Sequence, residues 1–164
     1  MDEFLLRALH ARRPAIRRQW ESLLRLEKPA SPLALPDMLV RMIDLTMDEA
    51  FAALGHAGRR APRSRAAPGR TPGYEEVRRS CACGQNPLIE YFLAGERAML
   101  EALVLAQAEV GGPAVGSHRM VATEVHLVLR CIARREVGLF CSVCQLRLAS
   151  APGECPGRRE PAAV

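Results

Sequence analysis

Apolar residues recur along this chain at helical spacing in four stretches, divided by runs rich in proline and glycine. The first stretch, Asp2 to Glu27, reads as helix interrupted by Pro14. Phe4, Leu5, Ala8 and Leu9 form a short stripe, and Ile16, Trp20, Leu23 and Leu24 follow at i, i+4, i+7 and i+8. Pro14 lacks a backbone donor and clashes with the preceding turn, so it starts a new helix or kinks the old one. The second stretch, Asp37 to Leu54, places Leu39, Met42, Ile43, Thr46, Met47, Ala50 and Leu54 on one face, with Asp44, Asp48 and Glu49 on the other. Its methionines are read as core packing in preference to an adaptable binding surface.

The third helix starts at Asn86, a good N-cap, with Pro87 in the first helical position, and runs to about Val110. Leu88, Phe92, Met99, Leu103 and Ala106 share a face. Gly95 interrupts that face where a side chain is expected, which predicts the close approach of another helix. Gly111, Gly112 and Pro113 end the helix. Ser117 is read as the cap of a fourth helix running to about Leu146. Its stripe is Val121, Val125, Val128 and Ile132, continued through Leu129, Ala133, Val137 and Phe140. Cys131 is assigned to the core.

Between these stretches lie connections. Lys28 to Pro36 carries three prolines. Gly55 to Gly73 carries Arg59, Arg60, Arg63, Arg65 and Arg70 among prolines, glycines and alanines, with too little apolar bulk to fold. Ser150 to Val164 is read as a disordered tail bearing Cys155. The expected fold is therefore all-α, a four-helix bundle-like single domain over residues 1–149, with 55–73 as a flexible loop and 150–164 as the tail.

The short link between the third and fourth helices makes them antiparallel neighbours. Each arm is about 24 residues, or about 36 Å of helix, from the link to a pair of cysteines. Cys81 and Cys83 precede the third helix; Cys141 and Cys144 lie near the end of the fourth, one turn apart. The two pairs are expected to converge at the open end of the hairpin. Zinc takes four thiolates tetrahedrally, and ligands two or three residues apart reach one ion from one short segment. The positive pole of the third helix also favours thiolate at Cys81 and Cys83. Zinc is the leading reading of Cys81, Cys83, Cys141 and Cys144, with an iron–sulfur cluster as the alternative. An ion-free redox pair and inert packing of small apolar groups remain the other readings.

Composition narrows the rest. The 164 residues, 49% hydrophobic but only 4% aromatic, suffice for one domain with an aliphatic core. The net charge of +5 is modest, and Lys28 is the one lysine among 23 basic residues. The Arg12-Arg13 and Arg17-Arg18 pairs are read as a solvated face. The arginine-rich loop has no interleaved aromatics to stack on bases, so a nucleic-acid partner is the disfavoured reading. No apolar run reaches about 18 residues, which predicts no membrane span. The N-terminus lacks the basic start of a signal peptide. A cytoplasmic location is expected, where six cysteines signify metal or redox chemistry in preference to disulfides.

His126, beside the stripe of the fourth helix, is read as a hydrogen-bonded core residue in preference to a ligand. Glu96 falls near the height of Arg130 or Arg134 and is expected to pair with one of them. A di-iron bundle needs Glu-x-x-His pairs, which are absent. There is no phosphate-binding glycine motif, nucleophile elbow or zinc-protease helix.

The stretch from Leu6 to Leu54, with Ile16, Trp20 and Leu23-Leu24 followed by Pro36-Asp-Met-Leu and an amphipathic helix, resembles the helical N-terminal sensor domain of RsbT co-antagonist (RsbRD-type) stress-signalling proteins. The resemblance implies a helical bundle with a signalling role. The leading expectation is a non-enzymatic, metal-stabilised sensor or protein-interaction domain with a protein partner. The alternatives are a thiol-based redox sensor or small oxidoreductase using Cys141 and Cys144, and an iron–sulfur domain.

Overall fold

The structure, a computed structural model, describes residues 1–26, 35–59, 86–111 and 115–143. Every regular element among the described residues is helical, as the all-α expectation requires. The arginine-rich run from residue 60 onward and the tail lie outside them.

Helices α1 (Glu3–Ala11) and α2 (Arg13–Leu26) divide at Arg12. Asp2 caps α1 by accepting from the Leu5 amide. Arg12 closes α1, and its carbonyl accepts from Ala15 and Ile16 to open α2. Pro14 sits in the first turn of α2, where its missing donor costs nothing. Leu5, Leu9, Ile16, Trp20 and Leu24 are buried as their spacing predicts. Phe4 is not; it is 70% exposed, with Arg7 over its ring. It stands one residue before Leu5, about 100° round the helix from the buried face.

The expected single helix from Asp37 to Leu54 is in fact two. α3 (Pro36–Leu39) passes through a 3-10 turn (Val40–Met42) into α4 (Ile43–Arg59). The tighter turn leaves the buried residues in phase, and Leu39, Ile43, Thr46, Met47, Ala50 and Leu54 all face inward. α4 also runs past Leu54 through Gly55 to Arg59, into the expected loop. Buried Phe51 and Leu54 anchor that last part. Met47 and Met99 are fully buried, so both serve packing.

α5 (Pro87–Glu109) lies at the centre, against α1 and α2 on one side and α6 (Val115–Val143) on the other. Asn86 caps it as expected, accepting from the Leu88 amide at 2.9 Å. It ends at Gly111, whose φ of 76° is the left-handed conformation that glycine adopts without strain. Its stripe is wider than expected: besides Leu88, Phe92, Met99, Leu103 and Ala106, the residues Ile89, Tyr91, Ala94, Ala98 and Ala102 are buried. A helix with neighbours on several sides is apolar nearly all round. α6 starts at Val115, two residues before the expected cap at Ser117, and is described to Val143.

α2 approaches α5 closely at Gly95. Trp20 is fully buried, and its Nε1 donates to the Tyr91 carbonyl at 2.9 Å. Its ring lies where a Cβ at residue 95 would stand, 2.2 Å from Cζ2. The predicted approach at Gly95 is thus made by a side chain, not by a helix backbone. Tyr91 sits 4.8 Å from the Trp20 ring centroid and shares a hydrogen bond of 2.8 Å with Thr46 on α4. Burial pushes the Tyr91 phenol well above its ordinary range, so it stays protonated.

The arginine pairs of α2 are not simply solvated. Arg12 pairs with Glu109, Arg13 with Asp44 and Asp48, and Arg17 with Asp44. Arg18 remains on the exposed face. Across the molecule, Arg135 on α6 grips Glu49 on α4 through two bonds of 2.6 and 2.7 Å. The Arg135 hydrogen bonds hold the Glu49 carboxyl below its usual range. A lowered carboxyl contributes stability above its unfolded pKa of about 4.3, and loses it as pH falls through the folded value. Glu49→Gln is therefore expected to lower the thermal midpoint slightly at pH 7, by less than about 1 kcal/mol for so exposed a pair. Wild type and variant should converge as pH falls below the lowered folded value, where both lack the charge. A difference that persists undiminished at acid pH would refute the ion-pair account.

Candidate functional site

Two places on the α5–α6 hairpin carry candidate chemistry. Its antiparallel register is visible at both: Asn86 meets Val137 and Cys141, and Glu96 meets His126 and Arg130.

At the open end, Asn86 is buried, and its side chain does two things. The Oδ1 caps α5. The Nδ2 approaches the Val137 carbonyl and the Cys141 Sγ, each at 3.4 Å. Cys141 is itself buried. The start of α5 and the Cys141 thiol therefore stand at one height, as the equal arm lengths predict. An amide N–H donates more strongly to a thiolate than to a thiol, and the positive end of α5 acts in the same sense. Cys81, Cys83, Cys144 and Cys155 lie outside the described residues. The sequence identifies Asn86 as a cap; its second contact depends on α6 and has no local signature.

Cys131 is a correction. It is exposed, not core. Leu129 and Ala133 are buried, and Cys131 stands about 200° round the helix from each, on the opposite face.

Halfway along the hairpin, Glu96 is buried on α5 with its side chain only 10% exposed. Two groups from α6 hold it. His126 Nδ1 meets Oε1 at 2.5 Å, and the Arg130 guanidinium reaches Oε1 at 3.1 Å and Oε2 at 3.3 Å. The expected pairing of Glu96 is thus with Arg130; Arg134 is exposed. His126 is hydrogen-bonded as expected, but it is not fully core: its side chain is 30% exposed. An ionised carboxylate only accepts, so Nδ1 carries a proton, and the neutral form of the ring has its lone pair on Nε2. His126 and Arg130 are one turn apart on α6, which brings both to the same carboxylate.

Among the described residues, no three His, Cys, Asp or Glu side chains form a metal-binding group. No helix among them is long and apolar enough to cross a membrane. No family model, curated protein or solved structure matches the chain.

Proposed function

We propose that this chain is a non-enzymatic helical sensor or protein-interaction domain whose hairpin end is clamped by a zinc ion on Cys81, Cys83, Cys141 and Cys144. The observation that carries the reading is the contact between Asn86 and Cys141 Sγ. Cys83 is three residues before Asn86, within about 10 Å of extended chain, and Cys81 is five before it. Cys144 follows Cys141 by one helical turn of sequence. A buried thiol, held by an amide donor beside a helix N-terminus, has the surroundings a thiolate ligand needs. Bound there, zinc would tie the start of α5 to the end of α6. The resemblance of Leu6 to Leu54 to a signalling sensor domain agrees with a binding role, in the cytoplasm and with a protein partner.

Elemental analysis tests this. Protein purified without a metal-binding tag is expected to carry one zinc per chain. Serine at Cys81, Cys83, Cys141 or Cys144 should weaken the site. Cys131→Ser and Cys155→Ser should retain the metal; Cys131 is about 15 Å along the helix from Cys141. Because metal bound to the folded state is linked to folding, chelation should lower stability, by several kcal/mol for a structural site. Metal-free wild type of full stability would sink the clamp. Iron with sulfide would keep the ligands and replace zinc by a cluster. Metal released reversibly by mild peroxide would make the site a redox sensor.

A further inference from the structure

We propose that His126 is a phosphoryl-accepting site, with Nε2 as the nucleophile and a small acyl phosphate as donor. The inference is independent of the cysteine end, which lies about 22 Å away along α6.

The geometry of the ring is the starting point. Glu96, buried in α5, accepts the hydrogen bond from Nδ1–H and so fixes both the tautomer and the direction of the imidazole. Among the described residues no hydrogen-bond partner meets Nε2, and the ring is partly exposed at the seam between α5 and α6. A carboxylate behind one nitrogen orients the ring and leaves the other nitrogen as the nucleophilic position.

The surroundings select the ligand. The Arg130 guanidinium lies 3.4 Å from Nδ1, on the same side of the helix. Arg119, two turns before His126, is exposed; Arg97, the residue after Glu96, is also exposed but pairs with Glu101 at 3.0 Å. Arg119 and Arg130, on the His126 side of α6, are the cations that a dianion at Nε2 would meet. Leu93 and Leu100, about one turn either side of Glu96, are half-buried and make the α5 side of the seam apolar. The occupant suited to it is a small anion with a short apolar group.

The reaction balances without further groups. The Nε2 lone pair forms an N–P bond as the bond from phosphorus to the acyl oxygen breaks. The carboxylate leaves with that electron pair. No proton moves: the Nδ1 proton remains on the ring, and the ring's new positive charge faces the Glu96 carboxylate. An acyl phosphate needs no acid to expel its leaving group, because a carboxylate is already stable. Glu96 is a positioning residue here, acting through His126.

The molecule supplies its own comparison. His56 is exposed, and its Nδ1 meets the Ala52 carbonyl at 2.6 Å, so its ring is held in the same tautomer without a carboxylate. Full-length protein treated with acetyl phosphate, and with phosphoramidate as a donor lacking the acyl group, would be analysed by mass spectrometry under alkaline conditions that preserve phosphohistidine. His126 should be labelled by acetyl phosphate about tenfold or more faster than His56. Glu96→Gln should remove that advantage, because it removes the charge although its amide oxygen can still accept from Nδ1; in Glu96→Leu, which has no acceptor, nitrogen NMR should show His126 losing its fixed Nδ1–H tautomer. Circular dichroism establishes that each variant is folded; should they unfold, the wild-type rate ratio and tautomer decide the matter alone. Labelling of His126 no faster than His56 would overturn the proposal. So would a folded Glu96→Gln protein that reacts like wild type. Labelling by phosphoramidate but not by acetyl phosphate would overturn the assigned donor.

Discussion

Gly95→Ala is expected to destabilise the fold by about 3 kcal/mol, although alanine is the better helix former. The new methyl would stand 2.2 Å from Trp20 Cζ2 and 2.5 Å from Cε2 and Cη2, three atoms of one rigid ring. The ring has nowhere to go. It is fully buried, stacked near Tyr91, and tethered by its Nε1 bond to the Tyr91 carbonyl. Relief requires α2 to move away from α5, which opens the core around Ile16, Leu24 and Phe92. The helix-propensity gain of about 1 kcal/mol offsets only part of this. For a chain of this size the thermal midpoint should fall by roughly 6–12 °C. Trp20→Ala should cost about 3–5 kcal/mol through the cavity it leaves. The decisive measurement is the pair of changes together. Once the indole is gone, the alanine at residue 95 has room, so the double variant should be no less stable than Trp20→Ala alone. Simple additivity of the two losses, in urea or thermal unfolding, would show that the clash is not the cause.

Arg130→Met is expected to cost about 3 kcal/mol, because it leaves the Glu96 carboxylate in the α5–α6 interface without its cation. His126 would still donate to Oε1, but both Arg130 bonds are lost. Glu96→Leu should cost less, because the longer arginine stem lets its head turn outward. The double change Glu96→Leu with Arg130→Met replaces the charge pair by apolar groups and should recover most of the loss. This order of stabilities distinguishes a desolvated pair from a surface pair, for which all three variants would lie within about 1 kcal/mol of wild type. Chemical denaturation of the four proteins reads it directly. The hydrophobic replacement would also leave His126 without its carboxylate. A stable double variant that no longer reacts with acetyl phosphate would thus separate folding from the chemistry proposed for the ring.

Local patterning determined the helices and most of their inward faces. Asn86-Pro87 started α5 where it was expected, because capping depends on neighbouring backbone amides alone. The stripe Ile16, Trp20 and Leu24, and that of Val121, Val125, Leu129, Ile132 and Val137, are buried because 3.6-residue periodicity is itself local. Gly95 signalled a close approach, and equal arm lengths brought Glu96 to Arg130 and Asn86 to Cys141. Which neighbour fills each space was decided only in three dimensions. The sequence does not say that α5 is surrounded, so its second face of Ile89, Tyr91 and Ala98 was not foreseen. Nor does it say that Asp44 and Asp48 lie opposite Arg13 and Arg17, which turned an expected solvated face into a set of ion pairs. Cys131, expected in the core, faces solvent, and Phe4 likewise. A stripe marks the centre of a buried face but not its edges, which depend on how far the packed helix reaches round. The Glu96–His126–Arg130 cluster shows the same division. The pairing of Glu96 with Arg130 or Arg134 was legible from the equal arm lengths; that Arg130 is the partner, and that His126 joins the same carboxylate, was decided only by the packing of α5 against α6.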